Sequence, residues 1–273
     1  MAAGNFEGKE HVSFYVKYRP NPPEVITNKI IEYLGEKITS PYRHVLDVGC
    51  GSGQSSLIWK PYFQRITGCD ISAAQIEEAN KSNTFDNVNF IVCPSEDIPL
   101  ADNSVDLLSV VTALHWFDIE NFFKEAKRLL MNNGVLAVQS YHRIFKVIFD
   151  TDEKTVLAND FMKKLFFDNL RDYWSPKLEL LDNEYRLVNF PFGDIVKHSG
   201  IKNRSKVAVD TLIGFLNSYS PYRAFTNDYP EKAECLMKEL KEKLCELNGG
   251  ESKPLIVEQD HFLILCRNYK DNS

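Results

Sequence analysis

The sequence predicts an α/β fold, a doubly wound and mostly parallel sheet with a helical, aromatic cap toward its C-terminal end. Three observations carry this. The apolar run Val45-Leu46-Asp47-Val48 turns into alternating glycines at Gly49, Gly51 and Gly53, with a helical stretch directly after. Strand-like and amphipathic helical segments then alternate as far as residue 139, the pattern of parallel strands joined by crossover helices. Finally, 273 residues at 44% hydrophobic and 26% charged supply a sizeable core for one large domain.

Taken in order, the first dozen residues are polar, and an aromatic, basic segment follows from Phe14 to Pro20. Residues 24–38 read as a helix, because Pro22 and Pro23 suit its first turn and Ile26, Ile30, Ile31, Leu34 and Ile38 form one stripe. The run ending at Val48 is the first strand. Its glycines let backbone N–H groups and a helix N-terminus approach a ligand that any Cβ would hold away. A helical stretch over residues 54–60 stops at Pro61. Residues 65–69 are the second strand, ending at Asp70, and Ser72 with Gln75 forms a capping box for the next helix. Residues 88–92 and 105–111 are the third and fourth strands. An amphipathic helix over 120–131 is closed by Asn132-Asn133-Gly134, and 135–139 is the fifth strand.

Beyond Ile144 the pattern changes. A helix is predicted over 152–170, then an irregular aromatic stretch through Phe192, a strand near 206–209, a helix around 211–216 and a loop at 219–223. A charged amphipathic helix over 231–247 ends at Gly249-Gly250, and the last strand begins at Leu255. With no repeat or linker, residues 1–273 are expected to form a single domain: a binding core at 14–141, a substrate cap and insertion at 142–254 and a final strand at 255–267.

Charge and cysteine usage narrow the function classes. The net charge is −6 with no lysine or arginine run, which argues against a nucleic-acid partner. No segment approaches the ~18 apolar residues of a membrane span, and the six cysteines show neither a C-x-x-C pair nor metal-ligand spacing. A cytoplasmic, monomeric protein with no metal and no membrane partner is therefore expected.

Glycine spacing separates two ligand classes. A dinucleotide fingerprint needs Gly-x-Gly-x-x-Gly, and here the place of its third glycine is taken by Gln54. Asp47 followed by Gly49, Gly51 and Gly53 instead resembles motif I of the class I S-adenosylmethionine (SAM) methyltransferases. Three later strand ends carry residues similar to that family's next motifs. They are Asp70, nineteen residues past Gly51; Pro94-Ser95-Glu96-Asp97-Ile98-Pro99-Leu100; and Thr112-Ala113-Leu114-His115-Trp116-Phe117-Asp118. The resemblance covers roughly residues 15–141 and implies a Rossmann-like sheet of seven strands with SAM as cofactor. It implies that the glycine loop hugs the methionine half, that Asp47 faces its ammonium group and that Asp70 takes the ribose hydroxyls. Pro94 stands where relatives carry an acid, which leaves the Ser95 and Glu96 backbone and Asp97 to meet the adenine. Arg19, Ile71, Gln75 and Thr112 complete the expected cofactor set.

Tyr15-x-x-Tyr18-Arg19-Pro20, the stretch from His115 to Asp118, and Gly214 to Tyr222 further resemble the trans-aconitate methyltransferase-like group, which esterifies small carboxylic acids. The implied function is methyl transfer to a small molecule, with a carboxylic acid as the expected acceptor. Tyr15, Tyr18, Trp116, Tyr141, Tyr219 and Tyr222 are the expected substrate wall, with Arg19 and Arg223 placed to fork a carboxylate. His115 is the candidate catalytic residue. A carboxylate is already ionised at pH 7 and needs no base, whereas an amine or phenol acceptor would need His115 or His142 as one. A SAM-binding protein without turnover is the remaining alternative.

Overall fold

The computed structural model describes residues 22–270. Helix α1 (Glu24–Gly35) starts after Pro23, whose carbonyl accepts the Ile26 N–H. Five strands follow in parallel: β1 (Tyr42–Val48), β2 (Phe63–Asp70), β3 (Val88–Val92), β4 (Val105–Val111) and β5 (Leu130–Tyr141). Their lateral order is β3-β2-β1-β4-β5. The chain thus runs outward from β1 to β3, then returns to β4 on the other side of β1. That reversal opens a crevice beyond the carboxyl ends of β1 and β4, where open α/β sheets bind ligands.

Both faces of these strands are covered, so alternate residues enter different cores. Val45, Leu107, Val135 and Leu263 pack under α1 and α3 (Ala73–Ser82). Leu46, Leu108, Leu136 and Ile264 pack under α4 (Ile119–Leu129). The apolar runs of β1 and β4 reflect burial on both sides.

Strand β8 (Leu255–Arg267) runs antiparallel to β5 through residues 261–267 and to the short β6 (Lys146–Ile148) through residues 256–258. Its other edge pairs throughout with β7 (Gly193–Val207). Eight strands among the described residues therefore fill the seven lateral positions expected, with β6 continuing the line of β5.

Helices α5 (Asp152–Met162), α7 (Val209–Asn217), α8 (Ser220–Asp228) and α9 (Pro230–Asn248) enclose a third apolar core against β6 and the start of β8. A short helix α6 (Leu178–Asp182) packs instead beside the β4 side of the sheet. Two expectations change here. β7 is far longer than the strand expected near 206–209. Its outer-edge position leaves most of it exposed, so its sequence is polar and breaks at Gly200. The expected loop at 219–223 is the first turn of α8, with Pro221 at a helix start rather than in a turn. Among the described residues, no helix is long and apolar enough to cross a membrane, and no His/Cys/Asp/Glu cluster could hold a metal.

Candidate active site

The crevice at the β1/β4 reversal is a cleft of about 840 Å³ including its open mouth. Gly49 and Gly51 line it from the loop after β1, where both adopt positive φ (71° and 54°). Asp70, Ile71 and Gln75 line it from the end of β2 and the start of α3, and Ser95, Glu96, Thr112 and Trp116 line it from the loops after β3 and β4. Nine of the expected residues thus converge on one cleft.

Asp70 holds the rim together. One carboxylate oxygen accepts the Gly51 N–H at 2.9 Å and the other the Ser72 N–H at 2.9 Å. Burial raises its pKa above the usual carboxylate range, and those backbone donors offset part of the rise. Glu96 accepts from Ser95 Oγ at 2.8 Å and from the Asp118 N–H at 2.9 Å, tying the loop after β3 to the loop after β4. Gln75 is buried, and its Oε1 lacks a hydrogen-bond partner among the described residues.

Three expected cofactor residues lie elsewhere. Asp47 is fully buried behind the loop, where Ser55 and Ser56 hydroxyls donate to one of its oxygens at 2.7 Å each. It braces the loop against α2 (Gln54–Leu57), and burial lifts its pKa to about 6. Gly53 (φ 85°) faces the β3 side, where a Cβ would lie 2.5 Å from the Phe90 ring. Its need for glycine comes from helix–sheet packing, not from the cleft. Asp97 is exposed and off the cleft wall. Arg19, Tyr15 and Tyr18 lie outside the described residues.

A second pocket, about 520 Å³ with its open side, adjoins the first through Thr112 and Trp116, which line both. Thr112 is held at φ 53°, a strained conformation for a β-branched residue. Its N–H donates to the Gln139 carbonyl at 2.9 Å, and Ser140 Oγ donates to its hydroxyl at 3.1 Å. His115, Tyr141 and Tyr219 line this pocket as expected. Tyr219 donates to the Arg143 carbonyl at 3.0 Å, joining the cap to the end of β5. Tyr222 and Arg223 do not reach the pocket. Helix α8 turns Tyr222 toward α9, where its hydroxyl donates to the Ala233 carbonyl at 3.0 Å.

The cation on the pocket wall is Arg143, just past β5. Its Nε and Nη2 donate to Asp182, and its guanidinium sits 4.6 Å over the Trp174 ring. Reading strand ends two residues past β5 would have found it, since His142-Arg143 follows Tyr141 directly. His115 is buried, with its Nδ1 2.8 Å from the Tyr185 hydroxyl. Desolvation, helped by the nearby Lys177 charge, lowers its pKa to about 3. His142 faces away from the pocket and contacts Glu184 at 3.1 Å.

Residues 46–138 match a family described as a methyltransferase domain. A protein of Dictyostelium discoideum named as a methyltransferase is 30% identical over 259 residues, covering 93% of this chain and 91% of that one. CRG1 of Saccharomyces cerevisiae, named as an S-adenosylmethionine-dependent methyltransferase, is 27% identical over 96% of each chain. Among solved structures, one titled as a type II methyltransferase from Anaeromyxobacter dehalogenans superposes with a TM-score of 0.75. It has 26% identity and covers 92% of this chain and 99% of its own.

Proposed function

The chain belongs to the class I S-adenosylmethionine-dependent methyltransferases, and from that premise we propose that it esterifies a small carboxylic acid. The cofactor is S-adenosylmethionine, and the first cleft has the donor set to hold it. Each Asp70 oxygen accepts one backbone N–H and keeps lone-pair capacity for the ribose hydroxyls. The unpartnered Gln75 Oε1 can accept from the bound cofactor. Gly49 and Gly51 would give the methionine half bare backbone, and Ile71, Ser95 and Glu96 would border the adenine. When bound, the cofactor supplies an electrophilic methyl group on its sulfonium.

One observation favours an acid as acceptor. The adjoining pocket is lined by the cation Arg143 and, among the described residues, by no carboxylate. Asp182 and Trp174 fix the guanidinium plane and leave Nη1 for an incoming anion. A carboxylate acceptor arrives ionised, so the pocket has no proton to remove. His115, neutral through the physiological range, suits such a site better than one that needs a base. What remains for the protein is orientation, which can be worth about 7–11 kcal/mol when the reacting atoms are held in line. Trp116, Tyr141 and Tyr219 shape that alignment and exclude water.

The test is a panel of small acids, amines and phenols assayed with methyl-labelled SAM. Base-labile ester product from an acid is the expected result. Arg143→Gln should raise KM for that acid about 10-fold or more while SAM affinity stays unchanged, since Arg143 is not on the cofactor cleft. Turnover of amines or phenols in preference to every acid would overturn the reading.

A further inference from the structure

Tyr185 is completely buried between the β4 side of the sheet and the floor of the second pocket. It reaches that position through two consecutive left-handed residues, Glu184 (φ 51°) and Tyr185 (φ 51°), a conformation that costs about 1–3 kcal/mol per non-glycine residue. The segment is held from several directions. The Tyr185 N–H donates to the Leu180 carbonyl at 2.8 Å, Ser199 Oγ donates to Glu184 at 2.6 Å, and Glu184 contacts His142 Nε2. This arrangement sets the phenol 2.8 Å from His115 Nδ1, with the two rings inclined by only 20°.

That hydrogen bond can be written two ways, and burial separates them. If the phenol donates, Nδ1 accepts and the imidazole proton sits on Nε2. The phenol proton and Nδ1 then satisfy each other, and only Nε2–H is left over. If Nδ1–H donates instead, the phenol proton has no acceptor in a closed apolar surround, and a buried unsatisfied donor costs about 1–3 kcal/mol. On the other side of the ring, Nε2 has no hydrogen-bond partner among the described residues and is not sealed off, and His115 lines the second pocket.

We propose that Tyr185 is a positioning residue that locks His115 in its Nε2–H tautomer, so that His115 is a neutral hydrogen-bond donor to an anionic acceptor in the second pocket and not a general base. The identity of the acceptor as a carboxylate rests on the function proposed above; the tautomer does not. Protonating His115 would require the phenol to give up its bond to Nδ1. The charges around the ring also oppose a second proton, since Lys177 lies beside it and donates to the Trp116 carbonyl at 3.1 Å, and Arg143, paired to Asp182, is on the same pocket wall. Depression of the His115 pKa by burial and Lys177 agrees with this. A carboxylate held by Arg143 and by His115 Nε2–H would present its remaining lone pairs toward Thr112 and Trp116, the residues shared with the cofactor cleft.

Long-range proton–nitrogen correlation of histidine-labelled protein tests this directly. The wild type should show one His115 tautomer, Nε2–H, with no titration from about pH 5 to 8. Tyr185→Phe should bring in the Nδ1–H tautomer and move the His115 pKa upward. It should also raise KM for a carboxylic acid substrate about 10-fold with a smaller change in kcat. The Nδ1–H tautomer in the wild type, or a His115 ring that titrates within that range, would overturn the proposal, and neither reading depends on the variant folding. An Nε2–H ring in a protein that methylates no carboxylic acid would sustain the tautomer and withdraw the substrate assignment alone.

Discussion

Gly49, Gly51 and Gly53 are one motif in the sequence but serve two physical purposes. Gly49 and Gly51 line the cleft, where a Gly49 Cβ would also meet the Ala113 side chain at 2.7 Å, whereas Gly53 gives room to Phe90 on the β3 side. Gly53→Ala should therefore cost about 1–3 kcal/mol of stability, from its positive φ and the overlap with the ring, and urea unfolding would measure it. Gly51→Val should act on the cofactor, weakening SAM binding in a calorimetric titration. Asp70→Ala should weaken SAM binding by about 1.5–3 kcal/mol, the worth of a hydrogen bond to a charged group. It should also loosen the loop, because the same carboxylate accepts the Gly51 N–H. His115→Gln keeps a donor at the pocket, so the rate should fall only modestly and stay nearly flat from about pH 6 to 9. A rate that instead rises steeply with pH through about 6.5, and a rise that is lost in the variant, would show a base at work.

Arg267 shows how one side chain joins elements far apart in sequence. It is fully buried near the end of β8, yet its Nη2 donates to the Tyr33 carbonyl at 2.7 Å and to Glu36 at 3.0 Å, and its Nη1 to the Asn133 carbonyl at 3.2 Å. The guanidinium also sits 4.2 Å over the Tyr33 ring. It thereby fastens α1 to the sheet. Arg267→Ala should destabilise the protein by about 3 kcal/mol. Arg267→Lys should rescue little of that, because an ammonium cannot reproduce the fork. Chemical denaturation of both variants separates the outcomes, and a full rescue by lysine would mean that charge alone matters. Helix α8 makes a related point: its register, not the presence of Tyr222 and Arg223 in the sequence, decides that neither reaches the pocket.

Across the whole molecule, buried titratable groups set the response to acid. His44, His115 and His261 are buried and neutral, with pKa values lowered to about 4, about 3 and about 4, mainly by desolvation. Each contributes stability that is present above the unfolded value of ~6.5 and is lost as pH falls toward its folded value. Asp47, raised to about 6, works oppositely: its contribution grows as pH falls through 6, and Asp70 acts in the same direction. Three histidines outweigh the two carboxylates. Stability should therefore fall by a few kcal/mol, roughly, between pH 7.5 and 5. Urea midpoints at the two pH values would show it, and a midpoint that rises in acid would mean the carboxylates dominate.

The mostly parallel sheet and the residues of the first cleft were legible in the sequence because they depend on local chemistry. A strand buried on both faces must be continuously apolar, and a loop that brings backbone to a ligand must carry glycine. The acid ending the next strand stands at a place the topology fixes. Motif order alone therefore brought Gly49, Gly51, Asp70, Ile71, Gln75, Ser95, Glu96, Thr112 and Trp116 to one cleft. The second pocket was only partly legible. His115, Tyr141 and Tyr219 were found, but Arg143, Trp174 and Tyr185 were not, because their roles arise from contacts across long sequence separations. Arg143 depends on Asp182 and Trp174, and His115 depends on Tyr185, seventy residues away. Nor could spacing show that Gly53 answers to Phe90, that Asp47 turns inward to two serines, or that β7 is an edge strand whose polarity hides it. Periodicity reports which side of an element is buried. Only the packed structure decides which groups meet there, and those meetings set the pKa of His115 and the charge of the pocket.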